Sequence, residues 1–219
     1  MSDLSHESLF REIDEDIRRE RYAKLWRQYG SYLITALVLL LAVIAGYSIW
    51  QERSTAQRAR AAEQFSAALQ LANKDPTAAE AQLRALASDG PSGYAMLAAL
   101  QRAALLAKDD GQAARTAYQG VQRSASNPMY RDVAVLLEVM VALQRETLPI
   151  DVDALQAKLQ PLALDSNPWR FSARELMALL AWKSGHSAEA RTQLDALVAD
   201  PQTPAAMRER AQQIMAQIG

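Results

Sequence analysis

The stretch ALLAWKSGHSAEARTQLDALVADP, residues 178–201, decides how the rest of the chain is read. It places a small residue at Ala178, a turn residue at Gly185, a second small residue at Ala190, and then Leu194, Leu197 and Pro201. Two antiparallel helices fit this order. Ala178 and Ala190 let them approach closely, Gly185 supports the turn between them, and Leu194 and Leu197 fill the groove towards the next helix pair. The pattern recurs upstream. ARTAYQGV (114–121) repeats the small, large and apolar spacing of ARTQLDAL (190–197), as do Ala79, Leu83 and Leu86 and, more weakly, Leu155, Leu159 and Leu162. The units start at 79, 114, 155 and 190, at intervals of 35, 41 and 35 residues.

Such intervals lie close to the 34-residue period of the tetratricopeptide repeat, with the last unit the best match. Earlier units are degenerate, because Gln101 and Arg102 stand where the pattern wants apolar or small residues. Ala, Leu, Gln, Arg and Glu dominate, and β-branched runs are scarce, so the region reads as all-α. Turn signals fall at Asn73-Lys74-Asp75-Pro76, Asp89-Gly90-Pro91, Asp109-Asp110-Gly111, Asn127-Pro128, Leu148-Pro149, Asn167-Pro168, Ser184-Gly185 and Asp200-Pro201. They cut it into helices of roughly 12–18 residues. Thr203-Pro204 reads as an N-cap followed by proline at the first helical position. The helix it opens has Met207, Ala211, Ile214, Met215 and Ile218 on one face and a polar far side, as a solenoid cap requires.

Upstream of the repeats, GSYLITALVLLLAVIAGYSIW (30–50) carries no charge. The twenty residues from Ser31 to Trp50 make a helix of about 30 Å, the thickness of a bilayer's hydrocarbon core. Trp26, Tyr29 and Tyr32 at one end, with Tyr47 and Trp50 at the other, supply the aromatic belts of a membrane span. The run exceeds the apolar region of a cleaved signal peptide and no A-x-A-like site follows it, so a retained signal anchor is expected. Arg18, Arg19, Arg21, Lys24 and Arg27 precede it, whereas Arg53, Arg58 and Arg60 follow within ten residues, which places the N-terminus in the cytoplasm. Three segments result: a charged, helical tail at 1–29, a transmembrane helix at 30–50 and a repeat domain at 51–219. In the tail, Phe10, Ile13 and Ile17, then Tyr22, Leu25 and Tyr29, keep helical spacing. Asp14-Glu15-Asp16 beside Arg18 and Arg19 read as a solvated, salt-bridged face.

A net charge of −1 offers no basic surface for nucleic acid, and the absence of cysteine removes disulfides, thiolate metal sites and cysteine nucleophiles. His6 and His186 have no catalytic neighbours in sequence, and no Gly-rich phosphate loop, H-E-x-x-H or G-x-S-x-G occurs. No catalytic residue, cofactor or metal is therefore expected. The candidate partner-binding residues are Ser172, Glu175, Leu179 and Trp182, which the repeat register places on the concave surface made by the first helix of each hairpin. Leu179 and Trp182 make that surface partly apolar, suited to an unfolded segment or a partner helix. The competing reading makes Trp169 and Trp182 ordinary core residues.

The charge-free span, then SIWQERSTAQRARAAEQFSAALQLA (48–72), YAMLAALQRA (94–103) and SGHSAEARTQLDALVADPQTPAAMRERAQQIMAQI (184–218), together resemble the ancillary Sec translocon subunit family (YfgM-like). The resemblance implies a single-pass protein of the bacterial inner membrane with a periplasmic tetratricopeptide-like domain. It further implies a non-catalytic adaptor or chaperone-like role beside Sec translocon subunits, periplasmic chaperones and emerging secretory chains. The alternative class is a structural scaffold in a cell-envelope or division complex.

Overall fold

The computed structural model describes the backbone of residues 3–144 and 150–218, with the side chains of Arg27, Tyr32, Ile34, Thr35 and those from Leu37 onward. The Leu148-Pro149 turn signal lies outside the described residues, as do the side chains of His6 and of Asp14-Glu15-Asp16. All regular structure among the described residues is helical: α1 (Asp3–Leu71), α2 (Pro76–Asp89), α3 (Ser92–Leu106), α4 (Gly111–Ser124), α5 (Pro128–Gln144), α6 (Val152–Leu159), α7 (Arg170–Lys183), α8 (Ser187–Ala199) and α9 (Ala205–Ile218). Two compact units, Met1–Gln57 and Arg58–Gly219, divide the chain within α1.

In the first unit the backbone is helical from Asp3. Every residue from Leu37 to Trp50 is exposed, Leu39 at 61% and Val43 at 68% among them, and the Tyr47 and Trp50 rings lie 6.0 Å apart. Of the expected span 30–50, only Leu37–Trp50 is an unbroken run of described side chains, about 21 Å of helix. No helix of the described residues is long and apolar enough to cross a membrane.

In the second unit, helices pair as hairpins: the end of α1 with α2, α3 with α4, α5 with α6, and α7 with α8. The first three hairpins begin their second helices the same way. Asp75, Asp110 and Asp151, each four residues before the start of its repeat unit, accept hydrogen bonds from the amides of Ala78, Ala113 and Ala154 at 2.9, 2.9 and 3.0 Å. These carboxylates satisfy helix-end donors that nothing else within the helix can reach. Proline follows at the first position of α2. Gly185 turns α7 into α8 with φ of +86°, a left-handed conformation natural to glycine.

The repeat register holds throughout. Ala79, Leu83 and Leu86; Ala114, Tyr118 and Val121; Leu155, Leu159 and Leu162; and Ala190, Leu194 and Leu197 are all buried. Facing them from the first helices, Ala68, Ala103, Ala142 and Ala178 are fully enclosed. The small residue of the second hairpin is therefore Ala103, one place beyond the irregular Gln101 and Arg102. Arg102 is half-buried, and its Nε donates to Glu80 at 2.5 Å.

Four apolar clusters follow one another along the domain. The first joins the end of α1 with α2 and α3, and the second α3, α4 and α5. The third joins α5, α6 and α7, and the fourth α7, α8 and α9. This is the quasi-one-dimensional organisation of a solenoid. Two local expectations fail. α6 has only 8 residues, because Pro161 lacks the amide that would continue it and the chain tightens into a 3-10 turn, Gln160–Ala163, which still delivers Leu162 to the core. Thr203 does not cap α9 either. Its hydroxyl is buried without a partner among the described residues, and the Pro204 carbonyl accepts the first helical bonds, from Met207 and Arg208.

Candidate partner-binding groove

Helix α5 lies between two clusters and buries residues nearly all round. Ala134 and Val141 pack on one side, and Val135, Leu136, Val139 and Ala142 on the other. Its remaining stripe, Val133, Leu137, Met140 and Gln144, repeats at helical spacing and lines the groove, with Val133 and Leu137 half-buried, Leu137 against the α3–α5 cluster, and Met140 and Gln144 exposed. Helix α7 repeats the arrangement. Ala173, Leu176 and Leu180 face α5 and α6, Phe171 and Ala178 face α8 and α9, and Ser172, Glu175 and Leu179 lie between. The two stripes, closed by Arg210 and Ile214 of α9, bound a groove of about 560 Å³.

Three of the four sequence-derived candidates, Ser172, Glu175 and Leu179, line this groove. Trp182 does not; it is half-buried one turn further along α7. Trp169 lines it instead, packed by its ring against the α5–α7 cluster, with its indole N–H buried and without an acceptor among the described residues. Met140 is the most exposed apolar wall residue, at 42%. The sequence marks α9 as a cap and assigns neither it nor α5 to a binding surface, because a groove of this kind is set by which helix faces remain unpaired after stacking.

Glu175 is buried and grips the α9 guanidinium with both oxygens: Arg210 donates from Nε to Oε1, and from Nη2 to Oε2 at 2.6 Å. The hydrogen bonds from Arg210 to this carboxylate raise the arginine's pKa. The other charges of α7 are engaged outside the groove. Arg170 bonds Gln202 and lies over the Phe171 ring, Arg174 binds the Ala163 carbonyl and Asp165, and Lys183 binds the Leu143 carbonyl.

A larger, solvent-open depression of about 1000 Å³ lies between α2 and α4. Its lining arginines and Glu80 are already paired with one another, and small residues such as Ala113, Ala117 and Gly120 give it little to grip. Size alone favours it, but the smaller groove has the apolar walls and convergent polar groups of a binding site. Among the described residues no three of His, Cys, Asp or Glu gather as a metal site.

Neither a curated protein nor a solved structure matches the chain significantly. The family model for the tetratricopeptide repeat-like domain matches residues 23–195, the region that holds the four hairpins through most of α8. Stacked helical hairpins, a burial register that recurs from one to the next and this match together make the chain a member of the tetratricopeptide repeat-like family, a class of protein-interaction modules.

Proposed function

We propose that this protein is a non-catalytic adaptor, anchored in the bacterial inner membrane through residues 30–50, whose repeat domain binds protein partners at the groove between α5, α7 and α9. The carrying observation is that an exposed, charge-free helix from Leu37 to Trp50 and an apolar groove occur in one chain of an interaction family. An apolar face of that extent in water calls for a cover, and a bilayer provides one with aromatic anchors in the right places. The family match begins at residue 23, ahead of the apolar run, so that run belongs to the matched region. The five basic residues before the run favour a cytoplasmic N-terminus and a periplasmic repeat domain. In that setting the adaptor would serve Sec translocon subunits and periplasmic folding factors, with anchoring raising its effective concentration beside them.

Photocrosslinking from Met140 and Leu179 of the anchored protein in living cells tests this, with the exposed Asp195 of α8 as control. Translocon subunits or folding factors captured from the groove positions and not from Asp195 are the expected result. Envelope-synthesis proteins alone would transfer the chain to the structural-scaffold class. Equal capture from all three positions would reject the groove.

A further inference from the structure

The groove is ringed by charged helices, yet among the described residues it holds no unpaired charge. Its two ionic members, Glu175 and Arg210, neutralise each other through paired hydrogen bonds, and the other lining groups are apolar or neutral. A charged ligand entering it would be desolvated without a counter-ion of its own, because the carboxylate and the guanidinium already neutralise each other. Neutral hydrogen-bonding groups do remain in the lining, the Ser172 hydroxyl and the Gln144 side-chain amide. Such groups pair with the carbonyls and amides that a polypeptide supplies and a hydrocarbon chain does not.

We propose that the groove takes an uncharged, apolar polypeptide segment, and that the Glu175–Arg210 pair determines this specificity by withholding both charges from the ligand. The inference rests on the groove reading above and adds the class of ligand. It also makes the pair a switch in the design sense. If one charge is removed, the other is left free, and the preferred ligand should change sign accordingly.

The test uses the full chain in phosphatidylcholine nanodiscs, with empty nanodiscs as blank, and three fluorescent twelve-residue peptides. One is a neutral Leu/Ala/Gln helix former; in the others its central Leu is replaced by Asp or by Lys. Fluorescence polarisation should show the neutral peptide binding roughly tenfold or more tighter than either charged one. In Glu175→Gln, which frees Arg210, the Asp peptide should gain at least about tenfold while the Lys peptide does not. The double variant Glu175→Gln with Arg210→Gln retains a neutral hydrogen-bonding pair, so it should again favour the neutral peptide, which guards against misfolding as the explanation.

Equal affinity for all three peptides, or no gain for the Asp peptide in Glu175→Gln while the neutral peptide still binds, would overturn the proposed specificity and leave the groove itself standing. Displacement of the neutral peptide by a soluble short-chain phosphatidylcholine as readily as by unlabelled peptide would assign the groove to lipid and overturn the polypeptide ligand. If no peptide binds wild type while the Met140 and Leu179 crosslinks persist, the ligand class is wrong and the groove reading survives. If both are lost, both fall.

Discussion

His186 stands where the other three hairpins carry an aspartate cap, four residues before the start of its repeat unit. It accepts the backbone bond from Ala190 but offers no side-chain cap to α8, and its Nδ1 instead meets the Ser184 hydroxyl at 3.0 Å. A residue with a short side-chain acceptor should therefore stabilise the last hairpin. Asn is preferable to Asp because Glu189 occupies the same turn. His186→Asn is expected to add about 1 kcal/mol, read as a rise of about 2–4 °C in the melting temperature; an unchanged or lower midpoint would refute the cap analogy.

A second residue with a distinct signature is Glu138, fully buried on α5. Burial by itself would push its pKa up. Hydrogen bonds from Gln119 at 2.7 Å, Lys158 at 2.7 Å and Gln122 at 2.8 Å, together with the Lys158 charge, outweigh that and hold the pKa below its ordinary 4.5. A carboxylate depressed on folding stabilises the protein above its unfolded pKa, and this contribution is lost as pH falls through the folded value. Thermal midpoints should thus decline below about pH 4.5, and Glu138→Gln should flatten the decline while lowering stability at pH 7. Glu80, also depressed because Arg102 and Arg84 outweigh its desolvation, leaves some acid sensitivity in the variant.

Among the elements, α9 joins an ionic clasp, Glu175 with Arg210, to the apolar packing of Met207, Ala211, Ile214, Met215 and Ile218. Apart from Ala211 its residues are at most half-buried, and Glu175 is the acidic group that Arg210 reaches. Removing the guanidinium strands a buried carboxylate on α7, whereas Arg208, one turn face away, bonds only the Pro201 carbonyl at a long 3.4 Å. Hydrogen exchange in α9 should accelerate markedly in Arg210→Ala and little in Arg208→Ala; similar exchange in the two would show that apolar packing alone holds the helix.

The second helices were legible in the sequence because Ala79, Leu83, Leu86 and their equivalents keep one spacing through three intervals. The first helices were less so. Ala68, Ala103 and Ala142 are as tightly enclosed as Ala178, but alanine is so frequent that a one-residue shift at Ala103 hid the match behind Arg102. Thr203 misled for a different reason: T-P before an apolar stripe is a sound start signal, yet tight turn bonds at Asp200 direct the hydroxyl inward. The groove was half legible. Its α7 members share a helical stripe, while Met140 and Arg210 enter through contacts between units that no local pattern encodes.

For the whole molecule, the proposed anchor makes a firm demand. Leu39→Arg puts a charge near the middle of the apolar run, at a cost of about 2.5–3.5 kcal/mol on insertion scales. Less of the variant should remain in carbonate-washed membranes, and fusing an export-dependent reporter after residue 219 should report the periplasmic side in the wild type. A carbonate-resistant fraction unchanged by the arginine, with the reporter silent, would remove the anchor.

The succession of four separate apolar clusters has a consequence for how such a chain tolerates change over generations. No cluster contains residues of both α2 and α7, so a lesion at Leu83 loosens packing among the first three helices without touching the walls that hold Ser172 and Leu179. Damage is compartmental. The first hairpin can lose regularity or acquire surface charge, as the Arg102–Glu80 pair illustrates where α2 meets α3, without altering the walls of the carboxy-terminal groove, whereas α3 and α4 pack directly behind its α5 wall.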